Sequence, residues 1–332
     1  MARQFIDARY EWNWSSLVGS AQGLLRHHGL PAQADWVSAV IGDAFRVNAA
    51  SAIDAEPAFQ RSGYPRRSLS DLRESLAVLG LSARVHTRDL TRQRPPWFLQ
   101  RRLRISLNAG RPVVAFGAGV ALGEERREFG LIVGYDDDRA AYRIDGPLTR
   151  EVGPWLPYDE LGGAPNATER WLAVITASAA IPKPERATAL ARSAALAAKG
   201  SRALARWLAV LEGEAEIDAQ RHAFWVQAFV AARGEAAHFW RRVAETEPAL
   251  RPVADGFGEL AVSLSRFATL YPYPAGGDVV SPAGRSVGAL ALDRAITIEE
   301  AALATLGALS LPSRLPLPPP DAAGSGDSSG SR

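Results

Sequence analysis

The chain has 332 residues, with 47% hydrophobic and 22% charged residues and a formal net charge of +2. These proportions fit an ordinary folded protein long enough for about two domains, and they exclude wholesale disorder and collagen-like or disulfide-stapled classes. The absence of cysteine removes thiol catalysis, cysteine-ligated zinc and iron–sulfur chemistry from consideration.

The N-terminal stretch Met1 to Ser16 lacks the basic start, continuous apolar run and small-residue cleavage site of a signal peptide. No segment approaches the ~18 uninterrupted apolar residues of a membrane span. A cytoplasmic location with no membrane partner is therefore expected. Lys183 and Lys199 are the only lysines among 38 basic residues. Arginines cluster between Arg84 and Arg104. Arg101, Arg102 and Arg104 are read as a solvated helix face, and no nucleic-acid partner is expected.

In chain order, the first helix is expected over Val18 to His28, with Ala21, Leu24 and Leu25 on one face and Gly29 as its stop. A short helix follows over Asp35 to Ile41. Ser68-Leu-Ser-Asp71 is a capping-box pattern, followed by Leu72, Leu76 and Leu79 on one helical face. Trp97 to Asn108 reads as another helix. Strands are expected at Pro112 to Phe116, Phe129 to Tyr135, Ala140 to Ile144 and Trp171 to Thr176, with a tight turn at Asp136 to Arg139. Helices followed by a run of strands describe an α+β layout with an antiparallel sheet.

The two prolines of Ala179 to Pro184 mark a joint, and Ala/Leu/Arg-rich helical sequence follows. Helices are expected over Arg186–Leu211, Glu216–Ala232, Glu235–Thr246, Ala249–Leu270 and Gly284–Leu309, broken at Tyr271-Pro-Tyr-Pro274. The Pro/Gly/Ser-rich tail reads as disordered. The resulting organisation is a domain over 1–178, a linker over 179–184, a helical domain over 185–310 and a tail over 311–332.

Gly117, Gly119 and Gly123 lack the spacing of a phosphate-cradling loop, and a strand rather than a helix follows them. Glu235-Ala-Ala-His238 is half of a paired di-iron pattern, with no second half in the chain. His222 is expected on a different helix from His238. No metal and no cofactor are expected. Trp207, Phe224-Trp225 and Phe239-Trp240 read as helix-bundle core.

One combination carries more. Trp14-Ser-Ser-Leu-Val-Gly-Ser20 leads into the first helix. Glu128-Phe-Gly-Leu-Ile-Val-Gly-Tyr-Asp136 is an apolar strand ending in Gly-Tyr-Asp, and Tyr142-Arg-Ile-Asp-Gly-Pro147 is a second strand ending in an acid. This arrangement resembles the papain-like cysteine peptidase fold. With Leu24-Leu-Arg-His-His-Gly29, Ile41-Gly-Asp-Ala-Phe-Arg46, Ala109 to Gly117, Tyr271-Pro-Tyr273 and Ile298 to Ala302, it resembles most closely the butirosin biosynthesis protein H N-terminal-like family. The resemblance spans roughly residues 10 to 309.

The resemblance implies a nucleophile at the start of a buried helix, a histidine opening the Gly-Tyr-Asp strand and an acid after the next strand. Those positions fall on Ser16 (with Ser15 one residue away), Glu128 (to within a residue or two) and Asp145. Cysteine and histidine are thus replaced while the acid is retained. A hydroxyl is a poorer nucleophile than a thiol, and a carboxylate near pKa 4.3 is a weak base at neutral pH. The expectation is a catalytically degenerate binding or accessory module for a small molecule, a peptide or an acyl-carrier partner. Its ligand would sit between the first helix and the sheet, near Trp12 and Trp14. The alternatives are an acyltransferase or hydrolase using Ser16 with Glu128 and Asp145, and a structural helical scaffold. Without chemistry, Ser16 is expected to act only as a helix-start cap.

Overall fold

The computed structural model describes residues 2–45, 69–89, 97–119, 128–147, 149, 153–162, 171–181, 204–214 and 216–309. The linker segment 182–184, most of the first C-terminal helix, Ser68 of the capping box and the tail after Leu309 lie outside them.

In chain order the elements are β1 (Arg3–Phe5), α1 (Ser16–His27), α2 (Ala34–Ile41), a 3-10 turn (Asp43–Phe45), α3 (Leu69–Val78), β2 (Leu81–Asp89), α4 (Trp97–Asn108), β3 (Val113–Gly119), β4 (Glu128–Asp136), β5 (Ala141–Asp145), β6 (Trp155–Pro157) and β7 (Trp171–Ala179). A helical stretch over 204–212, here α5, follows. Then come α6 (Ala219–Thr246), α7 (Arg251–Leu270) and α8 (Pro282–Ala308).

The strands form one antiparallel sheet in the order β2-β7-β3-β4-β5-β6, and β1 pairs with the far end of β4. The fold class is α+β with a helical C-terminal region. Strand β4 is central and buried along its whole length. Its alternation sends Phe129 and Leu131 to one face and Ile132 to the other. Val133 continues on the first face, and a bulge between Ile132 and Gly134 then resets the alternation, so Tyr135 falls on the second. Asp136 then caps the turn to β5, accepting N–H bonds from Asp138 (2.9 Å) and Arg139 (3.3 Å).

Two layers cover the sheet. On one face α4 buries Leu99, Leu103 and Leu107 against Val113, Ala115, Ile132 and Val174. On the other, α1, α2 and α3 pack on Val114, Phe116, Leu131 and Ile175, and the same core runs on without a break into α6, α7 and α8. Trp36 of α2 meets Phe239 of α6 at 5.9 Å between ring centres. Phe45 sits among Phe239, Trp240 and Phe257. A buried ion pair, Arg233 to Glu299 at 2.7 Å, ties α6 to α8, and the same guanidinium donates to the Ala44 carbonyl at 2.6 Å.

Several expectations need correction. The helices expected over Glu216–Ala232 and Glu235–Thr246 are one helix, α6. Gly234 does not break it, because a glycine inside a helix costs only about 1 kcal/mol relative to alanine. His222 and His238 consequently share that helix. His222 is buried, accepts the Trp207 indole N–H at 3.1 Å and titrates near pH 4 because burial disfavours its charged form. His238 is exposed. Strands β1, β2 and β6 were not expected, and β3 and β7 run three residues further than their patterns suggest.

Candidate functional site

The site is built where α1 enters the core. The extended segment Arg9 to Glu11 lies directly on α1. A side chain at Gly19 would come within 2.1 Å of the Glu11 carbonyl and 2.6 Å of the Tyr10 ring, and one at Gly23 within 2.0 Å of the Arg9 carbonyl. The Gly19-x-x-x-Gly23 spacing places both glycines on one helical face, and only their missing side chains admit this segment. The Glu11 N–H donates to the Gly19 carbonyl at 3.2 Å. Residues 16 to 25 of α1 are all buried, so no open cleft separates this part of the helix from the sheet.

The two serines at the start of α1 have separate roles. Ser15 is the N-cap, and its hydroxyl accepts from the Val18 N–H at 3.4 Å. The cap expected of Ser16 therefore belongs to its neighbour. Ser16 is the first helical residue, 4% exposed, and its hydroxyl turns toward the sheet. It donates to Glu128 Oε2 at 2.5 Å and accepts the Phe129 N–H at 3.0 Å. Glu128, 9% exposed, is the first residue of the central strand. Two positions separated by 112 residues in sequence are thus in direct contact.

Asp145 is not joined to that pair by a hydrogen bond among the described residues. It ends β5 opposite Leu131, and its Oδ2 accepts the Tyr10 N–H at 3.0 Å. Tyr10 stands between the acids. Burial pushes its hydroxyl well above the usual phenol range, and the charges of Glu128 and, more weakly, Asp145 push the same way, against the Asn13 carbonyl that accepts its O–H. The phenol therefore stays neutral.

A further connection reaches the helical region. Asn13 Oδ1 accepts the Ser15 N–H at 2.8 Å, and its Nδ2 donates to Glu235 Oε1 on α6 at 2.7 Å. Burial raises Glu235 to about 7, although hydrogen bonding from Asn13 favours its charged form. Tyr10, Asn13 and Glu235 were not singled out for these roles from sequence. Asn13 and Glu235 lie 222 residues apart, and no local pattern couples them. Gly19 and Gly23 were the one available signal for Tyr10.

Trp12 and Trp14 do not line a gap between α1 and the sheet. Trp14 packs edge-on against Phe224 of α6 at 5.5 Å and Tyr273 at 5.8 Å, and Trp12 meets Trp14 edge-on at 5.2 Å and is 71% exposed. Trp207, Trp225, Phe239 and Trp240 are core, as their helical spacing indicates. Gly117, at φ +83°, passes against Gly162, where a side chain would meet its Cα at 2.5 Å. This packing accounts for a glycine there without a phosphate.

Chemically, Ser16 and Glu128 form a hydroxyl–carboxylate pair with no imidazole in contact and both hydrogen-bonding directions of the hydroxyl used. Among the described residues there is no cluster of three or more histidine and acidic side chains able to hold a metal ion, and no helix is long and apolar enough to cross a membrane. Neither a protein-family model nor a curated protein matches the chain.

Proposed function

We propose that the chain is a papain-like protein, related to the butirosin biosynthesis protein H N-terminal-like family, that has lost covalent catalysis and acts in the cytoplasm as a binding or accessory module. Its partner is a peptide, an acyl-carrier protein or a small biosynthetic intermediate. The observation that carries this reading is the state of Ser16. Its hydroxyl is buried, donates to Glu128 and accepts from Phe129, at the helix-start and strand-start positions where the resemblance expects a nucleophile and its base. A serine hydroxyl is a poorer nucleophile than a thiol, and here both its donor and its acceptor are engaged with no imidazole in contact. Asp145, bonded to the Tyr10 backbone, does not orient that base.

The 2.5 Å contact favours a second reading, an acyltransferase or hydrolase with Ser16 as nucleophile and Glu128 as base. A fluorophosphonate probe separates the two. The binding-module reading expects no labelling of Ser16 in the native protein. Stoichiometric labelling at Ser16, abolished in Glu128→Gln, would replace it with the serine acyl-enzyme. The scaffold reading gains nothing from α6, because none of the exposed large apolar side chains among the described residues lies on that helix.

A further inference from the structure

Among the described residues, helix α4 is the outermost layer on its side of the sheet. Its inner face is spent on Leu99, Leu103, Ser106 and Leu107. Its outer face carries the i, i+4 rows Trp97–Arg101–Ile105 and Phe98–Arg102 side by side. Trp97 is 71% exposed and Ile105 55% exposed, and both arginines are exposed. Large apolar side chains on a helix that already has a buried face need a reason, because soluble surfaces seldom group them.

The neighbouring strand adds one further cation, Arg84, while burial and the nearby arginines hold His86 below its ordinary pKa. Arg84 and His86 project from β2 on the α4 side, since they pair with Thr176 and Val174 and Val174 belongs to the core under α4. Arg102 reaches the His86 ring. Among the described residues, no carboxylate lies within ion-pair distance of Arg84, Arg101 or Arg102. Arg104 differs, because it is held by Asp137 at 2.5 and 3.1 Å.

We propose that the outer face of α4, with Arg84 beside it, docks on an anionic lipid surface, with Trp97, Phe98 and Ile105 entering the headgroup boundary and Arg84, Arg101 and Arg102 pairing with lipid phosphates. Charge complementarity selects an anionic occupant. The aliphatic Ile105 beside the aromatic pair selects lipid over nucleic acid, since an aliphatic side chain offers a base no ring to stack on. The single-helix geometry suits a plane, into which apolar side chains can insert while arginines stay at headgroup level. This replaces the sequence-based expectation of no membrane partner with surface association, and it does not depend on the Ser16 reading.

The test is co-sedimentation of the full chain with vesicles of phosphatidylcholine alone and of phosphatidylcholine mixed with phosphatidylglycerol. Binding is expected only to the mixed vesicles and should weaken as salt rises. Arg101→Ala with Arg102→Ala should lower the partition about 25-fold, at about fivefold for each arginine near an anionic surface. Arg101→Lys with Arg102→Lys should retain most of it. Trp97→Ala with Ile105→Ala should lower it at least about tenfold through lost apolar insertion. All these side chains are exposed, so unchanged circular dichroism and Tm establish that each variant is folded. Equal binding to neutral and mixed vesicles, no vesicle binding, or binding of a single-stranded oligonucleotide in place of vesicles would each overturn the proposal.

Discussion

Glu299→Ala is the substitution whose cost follows most directly from the packing. Arg233 and Glu299 are both 0% exposed, so neither charge has water to fall back on. Alanine at 299 takes away the carboxylate 2.7 Å from the guanidinium, which keeps the Ala44 carbonyl at 2.6 Å and the Phe229 ring at 4.9 Å. Breaking one side of a buried pair costs about 3–5 kcal/mol, a large share of the ~5–15 kcal/mol that holds a typical domain together. Glu299→Gln keeps an acceptor of the same size and should cost less, about 1.5–3 kcal/mol, the scale of a hydrogen bond to a charged group. Removing both charges with Arg233→Met and Glu299→Leu should return stability to within about 1 kcal/mol of the parent, because the desolvation penalty disappears with the attraction. Urea unfolding followed by tryptophan fluorescence gives each value from the midpoint and slope. A Glu299→Ala cost below about 1 kcal/mol, or a double variant as weak as the single, would refute this account of the pair.

Three other outcomes are expected. Ser16→Ala should cost about 1–3 kcal/mol, because it takes a hydroxyl from a buried carboxylate and a strand N–H, whereas Ser15→Ala should cost about 1 kcal/mol as a lost cap; urea unfolding of both variants ranks them. Glu235 is raised from 4.5 to about 7 on folding, so the folded chain binds more protons than the unfolded one in that interval. Stability should therefore fall as pH climbs from about 4.5 to 7 and level off above, and Glu235→Gln should flatten that part of the Tm–pH curve. Gly23→Ala should destabilise by about 1–3 kcal/mol through its clash with Arg9 and Leu131, while Gly234→Ala, with open space around it, should stabilise by up to about 1 kcal/mol; thermal melts of the two should move in opposite directions.

The hairpin of β4 and β5 was legible because its apolar runs flank a turn of three aspartates and an arginine, and α1 because its periodicity is bounded by Gly29. Strand β2 was equally readable in principle. Leu81, Ala83 and Val85 alternate with Ser82, Arg84 and His86, but the run is short of large apolar residues and was passed over. The break expected near Gly234 rested on local propensity, which continuous packing along α6 overrides. Sequence placed Ser16 and Glu128 at the right ends of the right elements. It gave no sign that Ser15 takes the cap, since adjacent serines are interchangeable until the helix start is fixed to one residue. The reach of Asn13 to Glu235 is a tertiary fact with no local trace.

The aromatic seam has a consequence for how the chain is made. Ala44 and Arg233 are 189 residues apart, so at ribosomal speeds the first waits about 10 to 40 s for the second to be synthesised. Through that interval Trp36, Ile41 and Phe45 lie open on the nascent chain, lacking the partners that α6 and α7 supply. A ribosome stalled between residues 182 and 203 would present a hydrophobic face of just the kind that chaperones hold. Two fragments divided there would each be sticky alone and complementary when made together.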